Sequence, residues 1–171
     1  MARMSRPRRV PLLVLSLAAL AALPHASALD VRVRIGARTG EPVAASVQRG
    51  QLMLPLDALG RLGLPVRTDD IHDVVDVGCL RVRAGSVRVA FMPAPGGAPR
   101  MLRAPDLPVA ADRRAGGVRV PVRGLLAPFG FRLAFDAREG LLTLTPPDVA
   151  QLQPDRATCA LALAAWLTGE R

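Results

Sequence analysis

The chain has 171 residues, half of them hydrophobic and 22% charged, and all 23 of its basic residues are arginine against 14 acids, a formal net charge of +9. That length suits one ordinary domain. Only Phe91, Phe129, Phe131, Phe135 and Trp166 are aromatic, so no stacking platform is interleaved with the arginines and nucleic acid is not the expected partner; the two cysteines form no Cys-x-x-Cys, and no glycine-rich phosphate loop occurs, which leaves zinc-ribbon, dithiol and nucleotide chemistry without support.

The N-terminus reads as a cleavable signal peptide over residues 1–28. Arg3, Arg6, Arg8 and Arg9 form a basic region ahead of an apolar run from Val10 to Leu23, and Ala26-Ser27-Ala28 follows as a small-x-small cleavage site. The run is short for a bilayer span, which takes about 20 apolar residues. Processing leaves 143 residues and lowers the formal charge to +5, since four arginines and no acids are removed. Export to the periplasm or the exterior is the expectation.

The next segment, Val31-Arg32-Val33-Arg34-Ile35-Gly36, alternates apolar residues with arginine, as a strand does when one face is buried and the other wet. Leu80-Arg81-Val82-Arg83-Ala84-Gly85 repeats the pattern. Each precedes one copy of an internal repeat. In the first, a short strand ends at Pro55, a helical stripe of Leu56, Leu59 and Leu62 ends at Gly63, and two strands turn at Asp69 to Asp73. In the second, Pro121, Val122, Leu125, Leu126, Gly130 and a turn at Asp136 to Gly140 take the same places. Proline suits the start of a helix because its missing N–H costs nothing there, and glycine suits the end. Pro128 predicts that the second helix is distorted or already over, and Pro65 predicts an edge position for its strand.

Between the repeats, Met92 to Pro108 is rich in proline and glycine and reads as an extended loop or irregular hairpin. Pro154 to Leu167 reads as a helix, with Asp155 in its first turn and Gly169 beyond its end. Its apolar residues support two readings: packing on the sheet, or docking of another chain through Leu163 and Trp166. Cys79 and Cys159 support two readings as well, a disulfide closing a long loop or a pair of buried thiols, and the oxidising compartment favours the bridge.

The fold class expected is α+β: an antiparallel sheet packed against short helices, built from two strand-helix-strand-strand repeats (about 29–78 and 79–147), with a C-terminal helix in 148–171. The segments Val118 to Leu144 and, more loosely, Leu52 to Val77 resemble the stalk-like domain family named after the N-terminal domain of bacterial copper amine oxidases, over residues 29–147. The resemblance implies a non-catalytic appendage or envelope-binding module. It does not imply amine oxidation, because the chain has no tyrosine to become topaquinone and, after the leader, only His72 as a histidine.

No residue is assigned to catalysis, a cofactor or a metal. His72 lies among Asp69, Asp70, Asp73 and Asp76, a set that would suit a divalent transition metal, though Asp and His are also ordinary turn residues. Neither Ser46 nor Ser86 stands in a nucleophile elbow, and the pairs Asp136 with Glu139 and Asp106 with Asp112 fall in turns or loops. The partner expected is an anionic envelope polymer or another envelope protein, met through Arg81, Arg83, Arg119 and Arg123 or through Leu163 and Trp166. The alternatives are a secretin-type short sensory or interaction domain and a metal-dependent hydrolase built on His72.

Overall fold

A computed structural model describes residues 29–93, 101–114 and 117–169; the signal-peptide reading falls on residues 1–28 and lies outside them. The described elements are, in chain order, β1 (Leu29–Ile35), β2 (Arg38–Thr39), β3 (Val43–Gln48), β4 (Gln51–Pro55), α1 (Leu56–Arg61), β5 (Val66–Asp69), β6 (Val74–Val77), β7 (Leu80–Arg83), β8 (Val89–Phe91), β9 (Leu102–Arg103), β10 (Asp112–Arg114), β11 (Gly117–Pro121), α2 (Val122–Leu126), β12 (Arg132–Asp136), β13 (Leu141–Thr145) and α3 (Pro154–Thr168). Strand, helix, strand, strand occurs twice, as β4-α1-β5-β6 and β11-α2-β12-β13. Pro55 and Pro121 close the first strand and cap the helix in each. A single 3₁₀ turn, Ala127–Phe129, follows α2 at Pro128, the interruption that the proline predicts.

The strands form two sheets rather than one. The larger runs β10-β11-β4-β3-β1-β13-β12, with β2 on β1, and the smaller runs β5-β6-β7-β8-β9. The fold is α+β, with β5 at an edge as Pro65 predicts. One pairing is parallel, β1 with β13, where Arg32 stands opposite Leu141 and Ile35 opposite Leu144. Alternation of side chains is the same in parallel and antiparallel strands, so it carries no sign of this pairing.

The two repeats meet at β4 and β11 in antiparallel register, with Leu54 opposite Val120, Pro55 opposite Arg119 and Met53 opposite Pro121. Leu54 and Val120 are the same position of the repeat, so the register places a local two-fold axis between them. The hairpin turns agree in detail. Asp69 Oδ1 accepts from the backbone N–H of Ile71 and His72 at 3.1 and 3.2 Å, and Asp136 Oδ1 accepts from those of Arg138 and Glu139 at 2.8 and 3.3 Å. Each turn ends on a left-handed residue, Asp73 at φ 55° and Gly140 at φ 59°. The two are not interchangeable, because a Cβ on Gly140 would lie 2.5 Å from the Asp30 carbonyl oxygen in β1. Gly140→Ala is therefore expected to cost more than the roughly 1 kcal/mol of an unfavourable left-handed alanine; denaturant unfolding of that variant measures it.

The sheets and helices share one core, in which Phe129 of the 3₁₀ turn is fully buried and meets Phe91 of β8 edge to face, ring centroids 5.3 Å apart. Helix α3 buries Cys159, Ala160, Leu163 and Leu167, a stripe with the spacing of one helix face. Trp166 and Leu163 close over Gly78, where a Cβ would come within 2.8 Å of the indole ring and 3.0 Å of Leu163 Cδ2. The Arg38 guanidinium donates to the Leu167 carbonyl at 3.1 Å, a cation where the helix dipole is negative. Cys79, in the β6–β7 turn, and Cys159 form a disulfide with Cα atoms 5.8 Å apart, tying α3 to the smaller sheet across 80 residues of chain.

Candidate polyanion-binding face

The face is built by the alternation of β7 and its neighbours. Leu80 and Val82 point into the core, which turns Arg81 and Arg83 to solvent. On β8, Val89 and Phe91 are buried and Ala90 faces outward. The ladders set Asp76, Arg81, Ala90 and Arg103 side by side in one row across β6 to β9. The next row holds Val74 opposite Arg83, and Arg88 lies just before β8, one residue beyond the last β7–β8 pair, Val82 with Val89. Arg81, Arg83, Arg88 and Arg103 line one shallow depression of about 460 Å³ with Val74 and Ala90 at its floor.

The two rows differ electrostatically. In the first, Arg81 grips Asp76 with Nε to Oδ1 at 2.6 Å and Nη2 to Oδ2 at 2.7 Å, and this carboxylate holds the guanidinium all the more firmly in its charged form. Arg103 Nη2 lies 3.0 Å from both oxygens of Asp106. In the second row, neither Arg83 nor Arg88 has an ion pair or a side-chain hydrogen bond among the described residues. A larger depression of about 590 Å³, at the β12–β13 end, sets Arg34 and Arg138 against Asp136 and Glu139 and so offers an anion no net charge.

The arginines grouped by the sequence do not form one surface. Arg119 is half-buried on β11 in the larger sheet, opposite Pro55, and Arg123 on α2 donates to the Leu133 carbonyl at 3.2 Å. Leu163 is fully buried in the core, and Trp166 is half-buried on Gly78. Arg88 and Arg103 were not singled out in the sequence, although Val87-Arg88-Val89 continues the alternation of β7.

The acids around His72 do not converge on it. His72 Nδ1 meets Asp69 Oδ2 at 2.7 Å, which lowers the Asp69 carboxyl below its ordinary range, chiefly through that side-chain bond. Asp76 is taken by Arg81, and Asp70 and Asp73 by Arg113 at 3.1 and 3.0 Å. Among the described residues, no group of three or more His, Cys, Asp or Glu side chains is placed to hold a metal. Ser46 is buried, while Ser86 Oγ accepts from the Arg88 backbone N–H at 3.0 Å. Asp106 pairs with Arg103, and Asp112 with Arg114 at 2.6 Å and Gln48 at 3.2 Å, an arrangement that lowers the Asp112 carboxyl through the Arg114 bond first.

No helix among the described residues is long and apolar enough to cross a membrane. No protein-family model, curated protein or solved structure matches the chain.

Proposed function

We propose that the chain is an exported, non-catalytic binding module whose β7–β9 face takes an anionic polymer of the cell envelope. The observation that carries the reading is a depression lined by four arginines and no acid, two of which, Arg83 and Arg88, have no ion pair among the described residues. An anion held in that depression can accept charge-assisted hydrogen bonds from both guanidinium groups. Repeating sulfate, phosphate or carboxylate groups supply such anions along the sheet face, and the four arginines offer more than one contact to each chain. Export is supported by the basic and apolar leader pattern of residues 1–28 and by the Cys79–Cys159 bridge, a bond that persists in oxidising compartments. The order of strand, proline, helix, glycine and Asp-turned hairpin in both repeats agrees with the resemblance to the copper amine oxidase N-terminal stalk-like family.

The test compares the protein with its Arg83→Gln/Arg88→Gln variant for retention on immobilised dextran sulfate and on envelope fractions. The variant is expected to bind roughly tenfold more weakly, since two exposed charge contacts of up to about 1 kcal/mol each are lost. Retention of the parent protein should fall with added salt. Equal retention of the two proteins would contradict the reading.

A further inference from the structure

We propose that β12 is a dimerisation edge, at which two copies of the chain pair their β12 strands antiparallel about a two-fold axis at Ala134 and join their larger sheets into one. The inference does not depend on the anion-binding reading. β12 is the terminal strand of the larger sheet, with β13 on one side only. Its sequence is Arg132-Leu133-Ala134-Phe135-Asp136, with Arg132, Ala134 and Asp136 exposed on one face and Leu133 and Phe135 half-buried on the other. Pairing about Ala134 sets Arg132 opposite the partner's Asp136 twice over, Leu133 opposite the partner's Phe135 twice over, and the small alanines against each other at the axis. Opposite charges and apolar pairs directly across a ladder both stabilise it. Asp136 uses Oδ1 for its own turn, which leaves Oδ2 for the partner's arginine. The Leu133 carbonyl accepts from Arg123 Nη2 at 3.2 Å, a contact that the partner strand would have to share or displace.

The first repeat shows what a protected version of the same edge looks like. β5 occupies the equivalent place, and there Pro65 stands for Arg132 and Arg67 for Ala134. A proline and an arginine at the axis both oppose strand addition. The groove beside each strand differs in the same sense. Beside β5, Arg113 of β10 latches to Asp70 and Asp73 at 3.1 and 3.0 Å. Beside β12, those three positions are Val47, Ala137 and Gly140, and the groove of about 200 Å³ is lined by Gln51, Leu52, Arg123, Leu133 and Phe135. Val47 is 51% exposed, unusual for a strand valine with an apolar cross-strand partner in Leu52. The edge without the Arg113 latch is thus also the one without the proline and the central charge. The other end of the larger sheet, β10, is Asp112-Arg113-Arg114, three charged residues.

Sedimentation velocity of the protein, purified after expression of the full chain, is expected to show a monomer–dimer equilibrium between micromolar and millimolar concentration. Ala134→Arg, which sets like charges at the axis, is expected to weaken the dimer by roughly tenfold or more with an unchanged melting transition. Ala134→Cys is expected to form an intermolecular disulfide on oxidation, because directly opposed residues of a non-hydrogen-bonded pair lie about 4.5 Å apart at Cα, within disulfide range, while Thr145→Cys is not. A monomer at every concentration, a dimer indifferent to Ala134→Arg, or cross-linking that is equal at Thr145 would each overturn the proposal.

Discussion

Removing the Cys79–Cys159 bridge is expected to be among the most damaging changes this chain can suffer. The bond spans 80 residues, and the chain-entropy account assigns a loop of that length about 4 kcal/mol of stability. It also holds α3, whose own buried stripe is only Cys159, Ala160, Leu163 and Leu167, against the β6–β7 turn. A Cys79→Ala/Cys159→Ala variant keeps both sites apolar, so the loss it reports is that of the cross-link and little else. For a domain of this size that loss corresponds to a fall in melting temperature of about 10 °C or more. Calorimetry of the variant beside the parent protein measures it. A fall of only one or two degrees would mean that α3 is held by its packing and by the Arg38 contact at its C-terminus instead.

Phe129→Ala is expected to cost about 3–5 kcal/mol, the range for deleting a fully buried aromatic ring. Phe129 has no exposed surface and stands edge to face on Phe91. It sits in the 3₁₀ turn of the second repeat, while Phe91 belongs to the smaller sheet, so the ring pair joins two parts of the core that have no hydrogen-bonded ladder between them. Phe129→Leu fills most of the volume and should recover more than half of the loss. Urea unfolding of both variants separates the cavity contribution from the aromatic contact; equal destabilisation by Ala and Leu would assign the effect to ring geometry.

How far the fold can be read from the sequence follows from which physical constraints are local. Pro55, Pro121, Gly130 and the Asp turns each act within a few residues, and the strand-helix-strand-strand order they predict is the order observed. The apolar and arginine alternation at Val31 to Ile35 and Leu80 to Arg83 likewise fixes which residues face water. Partition of the two hairpins into different sheets is not local. β5-β6 continues into β7, whereas β12-β13 closes on β1, and the one local trace of this is Gly140, which β1 crowds where the first hairpin has Asp73. β3 was also hidden: it pairs with β1 through Val43, Ala44 and Ala45 and with β4 through Ser46, Val47 and Gln48, so its alternation breaks where it changes partner, at the adjacent buried residues Ala45 and Ser46.

The proposed binding face is half legible. Arg81 and Arg83 could be placed on a wet strand face, but their difference could not, because Asp76 reaches Arg81 across a ladder whose register the sequence does not print. Arg88 becomes significant only when β8 folds back and brings it into the same depression as Arg83. On α3, a helix apolar nearly all round does not disclose from sequence which stripe meets the core.

The most direct measurement is an NMR titration of the arginine Nε–H resonances with a short sulfated oligosaccharide. The proposed function predicts that Arg83 and Arg88 shift first and furthest, that Arg81 and Arg103 follow as their carboxylate partners compete with the ligand, that Arg119 and Arg123 stay in place, and that salt suppresses the changes. Shifts spread over all exposed arginines alike, or centred on the larger sheet, would contradict it.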